Sequence, residues 1–557
     1  MEPYKGCDII DIHPGACVWT QKLHDFLKPR RHLLLEPNEK YVQPFIKPLL
    51  DRPGSAYTHS TLSGANPKAY WGTYDKIFND KLLPEREPLK ENDPRLRKTD
   101  YSLLVTGSLH RQYKFADGLP NRVHYVNMII SQMALASQAN TMFHAFGLVR
   151  MLFWLPHEVQ TQISPRTLSQ RSALSMPLEV ATKLDVIVSQ SAEPDSPGHE
   201  VRDYTRLPRQ ERAMADRVLA RMERSNISLP EHRRSPQHQA AIDRKKSGRS
   251  EPRAHGWLPD IEMALTPEQL KDEVKSLMTA VNDFVSIAVR HFRFRPNSDP
   301  RRGVDELAAI KYNFADTTTG AKGPGEKIRS GFYMDLTGRQ LRVEREFAIH
   351  ASTLPTAEQE SLKKDILTIG DTLRETYDTI NTHLRAKLRM FAEEDYGVLC
   401  DPPISRYDRR QFEPLLCKED EFWPNYPMCL VDMMPREENL ASDITSASEA
   451  THVMRDLARS FWSRSRDPLP TALERMAAMA GHDMIRDTPI ITDPLRRGRM
   501  NAKDVSCRTL TPEMFRQLVV SYLEWPFRPS NAELAASAGV AGAAETDDTG
   551  INEDKID

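Results

Sequence analysis

The chain has 557 residues, with 76 Lys and Arg against 78 Asp and Glu, and 39% of it is hydrophobic. Such a length calls for several domains or for one domain carrying insertions. The near-neutral balance rules out a globally basic nucleic-acid binder, so any nucleic acid would have to meet a local patch. No apolar run reaches membrane-spanning length, so no membrane partner is expected. The six cysteines (Cys7, Cys17, Cys400, Cys417, Cys429, Cys507) show no CxxC spacing and no paired histidines. That argues for a reducing compartment and no metal site.

The first stretch is the most informative. Ile9-Ile10-Asp11-Ile12 is a short apolar run of the kind that forms a buried strand. The turn His13-Pro14-Gly15 follows, then the helical spacing Trp19, Leu23, Phe26, Leu27, then Leu33-Leu34-Leu35 ending in Glu36. This β-turn-α-β unit suits a nucleotide-like ligand: N–H groups at the turn face it, and the acid accepts two ribose hydroxyls. Non-ligand roles remain open for the same residues, with Asp11 bracing the turn and Glu36 capping the next helix.

Farther along, Glu39 to Leu50 has helical spacing, and Tyr57-Thr58-His59-Ser60-Thr61-Leu62 is a candidate third strand. A polar, proline-rich loop covers Pro84 to Lys98. Tyr101 to Val105 is a strand that runs into Thr106-Gly107-Ser108-Leu109-His110 at the edge where such sheets bind ligands. A helix over Arg122 to Phe146 is followed by strands at Leu148–Leu155 and Leu184–Val188. The alternation predicts a mostly parallel α/β sheet.

From Glu193 to His255 the chain is charged and lacks a sustained apolar stripe, which predicts a disordered or weakly helical insertion. Its basic tract, Arg233-Arg234 to Lys245, Lys246, Arg249 and Arg253, is either a solvated linker or a phosphate-contacting arm. Thr266 to Phe294 and Thr356 to Phe391 each open with a Thr cap, and the apolar stripe of the second (Leu362 through Phe391) predicts one long helix. An antiparallel helix pair would cover both apolar faces. Met428 to Pro435 reads as a strand to be placed beside Leu184–Val188. Helices fill 445 to 528, and from Asn531 the tail is Ala/Gly-rich and then acidic.

The run Ile9-Ile10-Asp11-Ile12-His13-Pro14-Gly15-Ala16-Cys17-Val18-Trp19-Thr20 resembles the S-adenosylmethionine motif of class I methyltransferases, in particular the rRNA adenine N6-dimethyltransferase family. The family pattern is apolar-apolar-acid-apolar-Gly-Pro-Gly-x-Gly-x-apolar-Thr, so His13 and Cys17 replace two glycines whose purpose is close backbone approach. Ser60 stands where the family places an Asp against the adenine. Thr106 to His110 lacks the Asn-Leu-Pro-aromatic turn that holds the target amine and stacks the flipped base. Gly147 to Pro156 is similar to the fifth strand of the fungal mitochondrial transcription initiation factors of this family. Asp408-Arg409-Arg410-Gln411-Phe412-Glu413-Pro414-Leu415 is similar to their Asp-Arg-Arg signature. The match covers 1–190 and 400–528.

The resemblance implies a Rossmann-like class I methyltransferase sheet with a large, mainly helical insertion and a small all-α C-terminal domain. The expected division is 1–190 and 400–436 for the sheet, 191–256 for a disordered charged insertion, 257–399 for a helical insertion, 437–529 for the C-terminal domain and 530–557 for a disordered acidic tail. The degenerate cofactor set is Asp11, His13, Gly15, Cys17, Glu36 and Ser60, and the catalytic turn Thr106–His110 is degraded. The implied function is that of a mitochondrial transcription initiation factor, which joins a single-subunit mitochondrial RNA polymerase and opens promoter DNA in the mitochondrial matrix. The first residues show no arginine-rich presequence, so import would use an internal signal or a start farther upstream. Candidate contacts to the melted strand are Arg409, Arg410, Arg455, Arg459, Arg464 and Arg466, with Phe461 and Trp462 among the last four. Arg409 and Arg410 have an alternative role, pairing with Asp408 and Glu413 in the fold. Two other functions compete: an active rRNA adenine N6-dimethyltransferase using S-adenosylmethionine on the small-subunit rRNA, and a non-catalytic mitoribosome assembly protein.

Overall fold

The computed structural model describes residues 1–65, 70–79, 82–83, 86–90, 93–110, 122–190, 208–247, 265–291, 324–377, 382–422, 425–437, 447–463, 465, 467–530 and 533–534. An eight-stranded sheet organises the fold, in the order β3-β2-β1-β4-β5-β8-β6-β7. The strands are β1 (Asp8–Ile12), β2 (Arg31–Leu35), β3 (Tyr57–Ser60), β4 (Thr99–Ser108), β5 (Leu148–Pro156), β6 (Thr182–Gln190), β7 (Leu415–Cys417) and β8 (Met428–Pro435). All pairs are parallel except those of β8, which runs antiparallel between β5 and β6.

Alternation along β1 explains its place at the centre of the first half. Ile10 and Ile12 enter one core layer with Leu33, Leu35, Leu103 and Val105, while Ile9 turns to the opposite face with Leu23, Leu27 and Leu104. A strand buried on both faces needs an unbroken apolar run, and β1 has one broken only by Asp11. The antiparallel insertion of β8 is fixed by its apolar residues and by an ion pair. Val431 and Met433 join the main core, and Asp432 receives Arg150 Nε at 2.7 Å from the neighbouring strand β5. The expected position of this strand beside β6 is therefore observed, in the register Leu184↔Met433.

Three expectations are corrected. First, the charged insertion is helical over much of its length. Helix α1 (Pro208–Arg224) and helix α2 (Pro236–Ser247) pack together. Met214, Val218 and Met222 are buried, a stripe at spacing four that the dense arginines obscure. The basic residues mostly answer nearby acids: Arg244 pairs with Asp216 at 2.6 Å, Lys245 with Glu223, and Arg233 with Glu421 at 2.7 Å. Arg249 and Arg253 lie outside the described residues.

Second, the helical insertion is not a pair. Helix α3 (Pro267–His291), helix α4 (Pro324–His350) and helix α5 (Thr356–Tyr377) share one core of Leu270, Leu277, Phe284, Phe332, Leu336, Val343, Ile366 and Ile369. Third, the stripe read as one helix over 356–391 belongs to two. Helix α6 (Thr382–Leu399) follows α5, and its Leu388 and Phe391 join Met334 in a separate cluster. The apolar stripe runs on across residues 378–381, which lie between these two helices and outside the described residues.

The C-terminal helices α7 (Ala447–Ser463), α8 (Leu469–Met476), α9 (Ala480–Asp487) and α10 (Pro512–Glu524) enclose their own core around Met454, Leu457, Phe461, Met514, Phe515 and Leu518. That core also takes in Met176, Val180 and Ala181 from the approach to β6, so the domain is seated on the sheet.

Candidate functional site

At the carboxyl edge of β1 the loop His13–Cys17 turns into the helix Val18–Leu27. His13, Gly15 and Cys17 all adopt left-handed backbone, with φ of 52°, 56° and 59°. These are the three glycine positions of the resemblance. The backbone keeps a glycine conformation where two residues carry side chains, at a cost of about 1–2 kcal/mol for each such residue. The turn geometry is thus retained without the residue type that makes it easy.

The side chains at these positions close the edge. His13 is 2% exposed, and its Nε2 lies 3.0 Å from Ser63 Oγ, in the segment after β3. Gly64 sits directly over the strand ends, where an added Cβ would come within 3.0 Å of both Ile12 and Leu35. Cys17 turns into a cluster with Leu34, Val42, Ile46 and Tyr57. Burial, with Asp11 and Glu36 nearby, pushes its thiol up to about 12, so it packs as a small apolar group.

Both carboxylates of the motif are fully buried. Asp11 accepts from the Thr20 hydroxyl at 2.6 Å and lies 3.5 Å from His32 Nε2. It braces the turn against the helix. Glu36 accepts Gly15 N–H at 3.2 Å through one oxygen and Asn38 N–H at 2.9 Å through the other. The acid that would take a ribose in a nucleotide-binding edge holds the turn itself. Ser60 is half-buried and accepts Leu62 N–H at 3.3 Å, while its carbonyl receives Glu36 N–H at 3.0 Å. Glu36 has no exposed surface in this arrangement, so a nucleoside could reach it only if the edge opened.

The turn after β4 is filled in the same way. Thr106 donates its hydroxyl to Leu152 O at 2.8 Å and accepts the Trp19 indole N–H at 3.1 Å. Trp19 meets Trp154 edge to face at 5.7 Å. Gly107, at φ 152°, approaches β1 so closely that a Cβ would lie 2.2 Å from Ile12 O. Leu109 is buried, its N–H donated to Trp154 O, and Ser108 Oγ lies 2.8 Å from His110 Nδ1. These five residues form a structural turn. Ser63 and Gly64 were not singled out in the sequence, and Trp19 was read only as part of the helix's apolar spacing. The only signal was a glycine shortly after the third strand.

The six candidate arginines separate into distinct groups. Arg409 donates to Glu179 at 2.9 Å, and Arg410 pairs with Glu413 at 2.7 Å while stacking over the Tyr407 ring at 3.9 Å. Both are committed to the fold. The pairing of Arg410 with Glu413 matches the alternative reading, whereas Arg409 chooses Glu179 rather than Asp408. Glu179 is the hub of a buried network that the sequence did not suggest. Arg171 reaches its other oxygen at 3.3 Å and also donates to the carbonyls of Arg508 and Leu510 at 2.6 and 2.7 Å. Arg406 donates to Leu178 O and Thr182 O. Burial raises the Glu179 pKa, but Arg171, Arg409 and Arg406 outweigh it and hold the carboxyl below the usual range.

Arg455 and Arg459 lie on α7 with side chains 39% and 43% exposed, and Asp456 sits 3.7 and 3.4 Å from them. They share a face and present charge to solvent. Arg464 and Arg466 lie outside the described residues. The two aromatics read as stacking partners are unavailable. Phe461 is fully buried, and Trp462 donates its N–H to Arg171 O at 2.7 Å.

No group of three or more His, Cys, Asp or Glu that could hold a metal is present among the described residues, and no described helix is long and apolar enough to cross a membrane. Comparison with protein-family models finds no match to this sequence, and comparison with curated proteins finds none.

Proposed function

We propose that the chain is a class I methyltransferase fold that has given up catalysis and serves as a nucleic-acid-binding initiation factor for a single-subunit mitochondrial RNA polymerase. The observation that carries the first half is the occupied carboxyl edge. Glu36 is spent on Gly15 and Asn38, and His13 meets Ser63 across the turn. The strand order, with an antiparallel last strand between β5 and β6, supports descent from a methyltransferase. The left-handed loop supports it too, because strain of that kind persists where surrounding structure over-determines it.

As arranged, these residues do not fit S-adenosylmethionine, and no chemical step is assigned to it. The chain's own groups instead lock the edge: Asp11 holds the helix through Thr20, Glu36 holds the loop, and Trp19 ties that helix to Thr106. The second half of the proposal rests on the resemblance of Asp8–Thr20, Gly147–Pro156 and Asp408–Leu415, and on the solvent-facing pair Arg455 and Arg459. Exposed guanidiniums on one helical face suit the phosphates of a melted strand.

Two measurements on one preparation test this. With radiolabelled S-adenosylmethionine and a small-subunit rRNA hairpin bearing adjacent adenines, methyl transfer should stay far below one equivalent. With the cognate mitochondrial polymerase on a linear promoter, the chain should be required for specific starts. Stoichiometric methylation without any effect on initiation would replace the proposal with an active rRNA adenine N6-dimethyltransferase.

A further inference from the structure

A cavity of 230 Å³ lies where the helical insertion meets the C-terminal domain. Helix α4 supplies Leu341, Arg345 and Ile349, helix α6 supplies Tyr396, with Cys400 just beyond it, and the turn 493–499 supplies Leu495, Arg497 and Arg499. The turn is rigid. Gly498 donates to Asp493 O at 2.8 Å, and a Cβ on it would lie within 2.6 Å of the carbonyls of Ile490 and Ile491. Tyr396 donates its hydroxyl to Arg497 O and to Gly498 O. Arg497 is held at φ 68°, a left-handed conformation that side-chain-bearing residues adopt only at a cost. The fold therefore fixes the position from which Arg497 enters the cavity.

The charges there are unequally satisfied. Arg499 is bound by both oxygens of Glu344 at 2.8 and 2.9 Å. Glu346 accepts Leu265 N–H at 3.0 Å. Asp401, also at the wall, is exposed to solvent. Arg497 is different: its Nη1 is buried and has no acceptor. A buried guanidinium N–H left unpaired is costly, so an acceptor is expected from outside the chain. Arg345 lines the same cavity and has no carboxylate partner among the described residues. Leu341, Ile349, Leu495 and Tyr396 line the same cavity and supply apolar surface to it. Cys400 contributes no charge, because burial pushes its thiol up to about 12.

We propose that this cavity is a binding site for a small organic phosphate, with the phosphate on Arg497 and Arg345 and an apolar or aromatic body against Leu341, Ile349 and Leu495. Guanidinium groups pair with phosphate through parallel N–H donors. A mostly apolar pocket with a few convergent polar groups is the usual form of a small-molecule site. The site shares no lining residue with the carboxyl edge of β1 and does not depend on the reading given there. Its placement between the insertion and the C-terminal domain means that a ligand would join two parts of the chain that already meet through Arg374 and Asp504 at 2.5 Å.

The test uses calorimetric titration of the full chain with adenosine monophosphate, adenosine and inorganic phosphate. Adenosine monophosphate should bind saturably at micromolar to millimolar concentration. Adenosine should bind at least tenfold more weakly, and inorganic phosphate should bind weakly and compete. Arg497→Met keeps the backbone bonds of the turn and should weaken binding at least tenfold. Arg345→Met, on a helix surface, should weaken it several-fold and gives a second reading if the first variant unfolds. Arg475→Met, outside the cavity, should change nothing. No saturable binding of adenosine monophosphate by folded wild-type chain overturns the proposal, as does binding that both pocket variants leave unchanged. Adenosine binding as tightly as its monophosphate would also overturn it.

Discussion

The arginines around Glu179 and those on α7 were both candidate nucleic-acid contacts in the sequence, yet the fold uses them in opposite ways. Arg409 and Arg410 sit beside acids and carbonyls brought from distant segments. Arg455 and Arg459 share a single acid on their own helix, Arg455 also meets His452 Nδ1 at 2.9 Å, and both side chains are partly open to solvent. A guanidinium is available to a nucleic acid only if nothing buried already needs it. Burial of Glu179 creates such a need, because an unpaired carboxylate inside a protein costs far more than a surface ion pair returns.

The comparison can be broken most forcefully at Arg171. Arg171→Met removes one partner of buried Glu179 and leaves the carbonyls of Arg508 and Leu510 without their donor. The expected loss is about 3–5 kcal/mol of unfolding free energy, read from denaturant unfolding. A loss comparable to that of a surface arginine would mean that the network contributes little.

Acidification probes the same hub with a defined sign. The Glu179 carboxyl is held below its ordinary value of 4.5 in the folded chain. Its contribution to stability is therefore complete above about pH 4.5 and is lost as pH falls through the lower folded value. Unfolding free energy measured downward from pH 6 should drop most steeply below 4.5, and Glu179→Gln should flatten that part of the curve. His144 adds a second, earlier loss. Its Nε2 bonds to Met133 O and its Nδ1 accepts Val149 N–H, so the imidazole is held neutral, and burial pushes its pKa from 6.5 to about 3. A depressed histidine leaves the unfolded chain with the higher proton affinity, so stability falls as pH drops from about 6.5 towards 3. His144→Gln, which keeps a side-chain donor and acceptor, should weaken that slope.

At the carboxyl edge, His13→Gly relieves the left-handed strain but gives up the contact with Ser63. The two terms oppose each other at about 1–2 kcal/mol each, so the net change should stay within about 1 kcal/mol. A larger loss would show that the contact with Ser63 holds the edge together. Binding of S-adenosylmethionine by this variant, absent in the wild type, would show that His13 is what bars the cofactor.

The smallest stability effect should come from Arg455→Ala with Arg459→Ala, within about 0.5 kcal/mol because both side chains are exposed. Its effect on binding should be clear. Affinity for a pre-melted promoter bubble should fall, and the slope of log affinity against log salt should become shallower by about 1.4, from roughly 0.7 for each single-strand phosphate contact. An unchanged slope would move the contact surface away from α7.

Much of the fold was legible because the signals were local. Apolar runs set β1, β2, β5 and β8, and a proline closes β8 at Pro435. The left-handed loop could be located from its pattern, although not its occupants' contacts. What escaped was whatever depends on a distant neighbour. The apolar stripe of α1 was hidden among arginines such as Arg217 and Arg221, whose acceptors are the carbonyls of Val398, Asp408 and Arg410, far along the chain. Strand β7, only Leu415–Cys417, has no pattern of its own and exists because β6 offers a free edge at Val188 to Gln190.

The sequence by itself determined the period of each element, the acid at the end of β2 and the turn after β1, because these follow from residue spacing and backbone preference. Only the tertiary structure decided what those groups do. Glu36 closes the edge because Gly15 and Asn38 come within reach of it. Arg409 and Arg410 are internal struts because Glu179 and Glu413 are buried beside them. A charged side chain has no fixed role until folding sets the distance and the dielectric between it and its counter-charge.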